Sequence, residues 1–116
     1  MAGFIKKTTG LTGLAADPLA SQKLQRLYKA TLKALGSMPG SYPYRRSTEQ
    51  LINDRLNIIQ TESDPVQVEK KINSGQLEEL VLQAEREFHL AKNMLIWKTW
   101  EPLIEEAPKN QWKWPV

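Results

Sequence analysis

The sequence predicts an all-α protein, a three-helix bundle with a short additional helix and extended N- and C-terminal arms. Three observations carry this expectation. Apolar residues recur three and four positions apart through the central segments, the spacing that gathers side chains on one side of an α-helix. Proline and glycine fall between those segments, where the chain has to turn. No segment sustains the period-two alternation of a half-buried strand. At 116 residues the chain suits one core and reads as a single domain, 1–116. Its parts are an N-terminal arm (1–16), a helical bundle (17–96) and a Trp- and Pro-rich C-terminal arm (97–116).

The first helix is expected to open at Asp17-Pro18, a cap residue followed by proline in the first turn. Leu24, Leu27, Tyr28, Thr31 and Leu35 then recur at helical spacing as far as Gly36. The run SMPGSYPY, residues 37–44, is a connection, because the residue before each proline is pushed towards extended backbone. Ser47-Thr48-Glu49-Gln50 fits a capping box opening the second helix, whose apolar stripe is Leu51, Ile52, Leu56 and Ile59 and which ends near Thr61. Asp64-Pro65 starts a short amphipathic helix through Ile72, closed by Ser74-Gly75. The last helix has the clearest seam, Leu77, Val81, Ala84, Phe88, Ala91 and Leu95, with Glu78, Glu79, Glu85, Arg86, Glu87 and Lys92 on its solvated or partner-facing side until Pro102 stops it.

Composition excludes more chemistry than it suggests. Without cysteine there is no disulfide, thiolate metal site, cluster ligation or cysteine nucleophile. The single histidine, His89, makes no plausible zinc site, and Arg86 stands where a di-iron bundle would need a glutamate. Gly10-Leu11-Thr12-Gly13 is too short for a phosphate loop, and nothing presents a nucleophile elbow. Catalytic, cofactor-binding and metal-binding residues are therefore expected to be none. Arg26-Leu27-Tyr28-Lys29 falls one residue short of the Leu-Tyr-Arg motif of small helical assembly proteins, and Leu27 and Tyr28 are equally well explained as core. The first sixteen residues carry lysines but no acid, a weak bias shared with mitochondrial presequences.

The net charge of +3 is unevenly placed, with nine Lys/Arg against three Asp/Glu in residues 1–60 and seven against ten in residues 61–116. Such a dipolar chain suits docking to another protein better than uniform phosphate binding. A small basic nucleic-acid-binding module is the alternative, since Trp97-Lys98 and Trp112-Lys113-Trp114 could stack on bases, but Glu101, Glu105 and Glu106 in the same tail oppose it.

All four tryptophans lie in the last twenty residues. Trp97 and Trp100 are three apart and can extend the apolar seam of the last helix. Trp112 and Trp114 cannot continue a helix past Pro102 and Pro108, and Pro115 pushes Trp114 towards extended backbone, which would set both rings on one side of the strand. Each ring can bury up to about 250 Å², so the tail either folds back over the bundle or lies along a partner.

The N-terminal MAGFIKKTTGLTGL, Tyr44-Arg45, Thr48-Glu49-Gln50, the run SGQLEELVLQAEREFHLAKNM and the ending WEPLIEEAPKNQWKWP closely resemble the alpha-subcomplex subunit 5 family of accessory subunits of mitochondrial respiratory complex I. The resemblance spans essentially the full length. One departure is Thr99, where the family has proline in a Trp-Lys-Pro-Trp stretch. It implies a non-catalytic structural or assembly subunit on the matrix-facing peripheral arm of NADH:ubiquinone oxidoreductase, the complex that passes electrons from NADH to ubiquinone. It further implies import without loss of a presequence, acetylation of Ala2 after removal of Met1, a location at the matrix side of the inner membrane, and no cofactor of its own. The implied neighbours are the 30-kilodalton iron-sulfur-protein-fraction core subunit and the 42-kilodalton alpha-subcomplex subunit. On that basis the expected partner interface is Trp97, Trp100, Trp112, Trp114 and Pro115 on the tail, with Glu78, Glu79, Glu85 and Glu87 as an acidic helix face.

Overall fold

The computed structural model describes residues 8–114. Its helices are α1 (Ala20–Leu35), α2 (Pro43–Thr61), α3 (Pro65–Ile72) and α4 (Leu77–Trp97), with no strand among the described residues. α1 is the central helix, packed against both α4 and α2, while α3 lies against α2. This is the expected bundle plus one short helix.

Burial follows the stripes except on α2, where Leu51, expected in the apolar stripe beside Ile52, is exposed, because neighbouring helix positions point about 100° apart and only Ile52 faces the core. α1 contributes Ala20, Leu24, Tyr28, Thr31 and Leu35, α2 Ile52 and Ile59, α3 Val68, and α4 Leu77, Leu80, Ala84 and Ala91. The polar Thr31 is accommodated because its hydroxyl donates to the Leu27 carbonyl at 2.8 Å, so no unpaired group is buried. On α4 the seam is rotated from the expected one. Leu80, absent from the predicted set, is fully buried, and Phe88 is half-buried at the margin beneath Lys92, whose Nζ lies 5.1 Å from the ring centroid. Leu77, Ala84 and Ala91, seven residues apart, are buried as expected, and the second row of the seam shifts from Val81 and Phe88, both half-buried, to Leu80.

Three element ends differ from expectation. α1 begins after a turn at residues 18–19, although Asp17 keeps a capping role: its Oδ1 accepts from the Leu19 amide at 2.9 Å and its Oδ2 pairs with Lys23 at 2.5 Å. α2 begins at Pro43, a full turn before the predicted capping box, because extended Tyr42 places Pro43 at the first helical position, where its missing N–H costs nothing. The connection is therefore only residues 36–42. α4 ends before Pro102, at Lys98, which adopts the left-handed conformation (φ 53). Asp64 does cap α3 as predicted, accepting from the Val66 amide at 3.1 Å, but the left-handed residue that closes α3 is Asn73 rather than Gly75.

Candidate partner interface

The acids expected to form one outward face of α4 serve the fold instead, and the reason is the helix N-terminus. An α-helix leaves its first four amides unpaired and carries partial positive charge there, so carboxylates gather around it. Glu79 reaches back to the Gln76 amide at 3.0 Å, and Glu69 of α3 accepts from the Leu77 amide at 3.1 Å. Gly75 belongs to the same cap: its φ is 107, and a Cβ there would stand 2.6 Å from the Glu79 carboxylate. Glu78 is buried and accepts from the Asp17 amide at 3.3 Å. Glu87 is half-buried and accepts from the Tyr44 hydroxyl at 2.6 Å, joining α2 to α4. Burial and that acceptor push the Tyr44 phenol well above its ordinary range. Of the four, only Glu85 is exposed.

The N-terminal arm is a fastener within the fold over its described part. Thr9 is buried, its hydroxyl donates to the Leu14 carbonyl at 2.5 Å, and its own carbonyl accepts from the Gln76 side chain at 2.6 Å. With the Glu78–Asp17 contact, residues 9–17 are tied to the start of α4. Ala2, the modification residue implied by the resemblance, lies outside the described residues, as does Pro115.

The four tryptophans separate into two classes. Trp100 packs on the core, its ring edge-on to Tyr42 at 5.8 Å between centroids. The Tyr42 and Thr99 hydroxyls are hydrogen-bonded to each other, and Thr99 also reaches the Met94 sulfur at 3.3 Å. Thr99 thus helps pin the point at which the tail leaves. Trp97, expected to share a face with Trp100, is exposed, because the left-handed residue at Lys98 breaks the helical register between them. Beyond this clasp every residue from 101 to 114 is exposed, including Leu103 and Ile104. Trp112 is 86% and Trp114 88% exposed.

The tail does not fold back over the bundle. Nor is it the extended stretch expected around Trp112: the Gln111 amide donates to the Pro108 carbonyl at 3.0 Å and the Lys113 amide to the Asn110 carbonyl at 3.2 Å, making consecutive turns. The molecule is long as a result, 63 × 35 × 21 Å with a radius of gyration of 18.6 Å, where a compact chain of this length has about 13 Å.

These placements define a class: a small helical-bundle protein whose C-terminal tail, beyond the core-packed Trp100, presents large apolar rings to the outside. Among the described residues no group of three or more His, Cys, Asp or Glu could hold a metal ion, and His89 is exposed beside Phe88. No described helix is long and apolar enough to cross a membrane.

Comparison with known proteins narrows the class. A family model described as the ETC complex I subunit conserved region matches residues 13–79. Over its full length the chain is 47% identical to NADH dehydrogenase (ubiquinone) 1 alpha subcomplex subunit 5 of Bos taurus and 48% identical to that of Mus musculus, covering all of each relative. A probable counterpart in Caenorhabditis elegans is 43% identical over 97% of this chain and 75% of its own length. The chain belongs to the family of complex I alpha subcomplex subunit 5.

Proposed function

We propose that the chain is a non-catalytic accessory subunit of mitochondrial NADH:ubiquinone oxidoreductase, held on the matrix side of the inner membrane in the peripheral arm. Its bundle acts as a rigid spacer and its C-terminal tail as the anchor. The observation that carries this reading is the pair of rings, Trp112 and Trp114, standing almost wholly in solvent beside Leu103 and Ile104 on a tail the core does not use. Tryptophan is favoured as an interface anchor because it supplies a large rigid area at small entropic cost. Family membership supplies the kind of partner, namely other subunits of the complex, and the reading names the 30-kilodalton and 42-kilodalton subunits as the neighbours. Trp97 extends the anchoring surface at the end of α4, Trp100 holds the root of the tail, and Pro115 belongs to the same proposed interface. Glu85 is the member of the acidic set available to a basic neighbour. Ala2 is the acetylated N-terminus.

The test is replacement of both rings, Trp112→Ala with Trp114→Ala. Losing an anchoring ring costs about 2 kcal/mol or more in binding, roughly 30-fold in affinity. The variant chain should fold with an unchanged melting temperature and fail to enter the assembled complex. Normal incorporation of the double variant would show that the tail is not the anchor.

A further inference from the structure

The outer face of α1 carries a feature that neither the tail nor the helix cap absorbs. α1 holds Lys23, Arg26, Lys29 and Lys33 and no acidic residue. Lys23 is neutralised by Asp17 at 2.5 Å. Arg26, Lys29 and Lys33 are exposed and have no ion-pair partner among the described residues. At spacings of three and four they lie within a sector of about 60° and a rise of about 10 Å along the helix. That sector is opposite the buried Leu24, Tyr28, Thr31 and Leu35, so the row is mounted on the most firmly packed helix of the bundle.

On the other helices cations are either paired, as Arg45 is with Glu49 at 2.7 Å and Lys71 with Glu62 at 2.9 Å, or share their helix with acids, as Lys70 does with Glu69 and Arg86 with Glu85 and Glu87, whereas α1 carries no acid at all. A solvated helix face ordinarily mixes signs, and like charges at i, i+3 and i, i+4 destabilise an isolated helix. A rigid, single-sign, self-repelling row is what an opposite charge would relieve.

We infer that Arg26, Lys29 and Lys33 form a second docking surface, occupied by a carboxylate-rich face of a neighbouring protein subunit. The inference rests on the reading of the chain as a built-in subunit. A protein face fits better than a nucleic acid because the row is short, has no aromatic side chain within it for base stacking, and belongs to a chain whose other half is net acidic. The two contacts then divide the work: the tail supplies apolar area, and the row sets orientation and rejects wrongly placed surfaces.

The test is made on the purified complex. Lys29 and Lys33 should be shielded from an amine-acetylating reagent relative to the free chain, and a zero-length carbodiimide should couple at least one of them to an Asp or Glu of another subunit. The triple variant Arg26→Glu, Lys29→Glu, Lys33→Glu, with its helix content verified by circular dichroism, should bind at least about tenfold more weakly, since like charges set against each other at an interface cost more than a decade in affinity. If the chain co-purifies with the complex while both lysines acetylate as in the free chain, the docking surface is refuted and the subunit reading stands. If the chain does not co-purify at all, both fail. Salt-steep binding of the isolated chain to single-stranded RNA, lost in the triple variant, together with free lysines in the complex, would assign the row to nucleic acid and overturn the inference.

Discussion

Replacing Tyr44 with phenylalanine tests how the start of α2 is fastened to α4. The phenol donates to Glu87 at 2.6 Å across the helix pair, and the ring itself packs on the core, so Tyr44→Phe removes the hydroxyl and leaves the packing. Hydrogen bonds to charged acceptors contribute about 1.5–3 kcal/mol, and partial exposure of both residues to water takes this one below that range, to about 1 kcal/mol. For a chain of this size such a loss lowers the melting temperature by roughly 4 °C. The sign of the pH dependence follows from the raised phenol. A proton held more tightly in the folded state stabilises it fully below the ordinary tyrosine range near pH ~10, and that contribution disappears as the pH rises through the folded value. Melting curves of the two proteins should therefore differ by a constant amount from neutral pH to the ordinary tyrosine range and converge above it. In parallel, the difference between their phenolate absorbance titrations should place Tyr44 above a solvent phenol. A melting temperature unchanged by the substitution, or a gap that widens in alkali, would refute the reasoning.

Two further substitutions and one titration probe the rest of the fold. Leu80→Ala opens a cavity at a fully buried position and should cost about 3 kcal/mol in chemical denaturation, whereas the same change at exposed Leu82 should cost well under 1 kcal/mol. Asp64→Ala removes the acceptor for the Val66 amide and should cost about 1 kcal/mol, read by the same denaturation curves. In acid, Asp17 and Glu62 are held below the usual carboxylate range, chiefly by hydrogen bonds from Lys23 and Lys71. Their stabilisation is complete above pH ~4 and is lost as the pH falls through the lowered values, so melting temperature should decline only below that point, and less steeply in high salt.

The fold class and the helix interiors were legible because spacing of apolar residues is a direct record of which side faces the core. Leu24, Leu35, Ile52 and Ala91 lie where their periodicity placed them. The ends were less legible, since several residues competed for the same role. Ser47 had the sequence of a cap, but Pro43 after an extended Tyr42 opened the helix a turn earlier and left Thr48 buried within it. The acidic run of α4 misled for a related reason: a glutamate near a helix start is equally consistent with solvent and with capping, and while Glu79 caps its own helix through the Gln76 amide, only the approach of residues 9–17 shows that Glu78 turns inwards. In the tail, prolines correctly excluded helix, but turn hydrogen bonds around Asn110 replaced the extended path that Pro115 suggested for the flanking residues. The exposure of Trp112 and Trp114 stood open between two outcomes in the sequence, because whether a tail returns to its own core depends on contacts distant in the chain.

The most direct test of the tail as anchor is residue-level oxidative footprinting of the tryptophans, read by mass spectrometry in the free chain and in the purified complex. Trp112 and Trp114 should be strongly protected in the complex and reactive in the free chain, while Trp100, packed on Tyr42 in both, should change little. Equal oxidation of Trp112 and Trp114 in the two states would contradict the account.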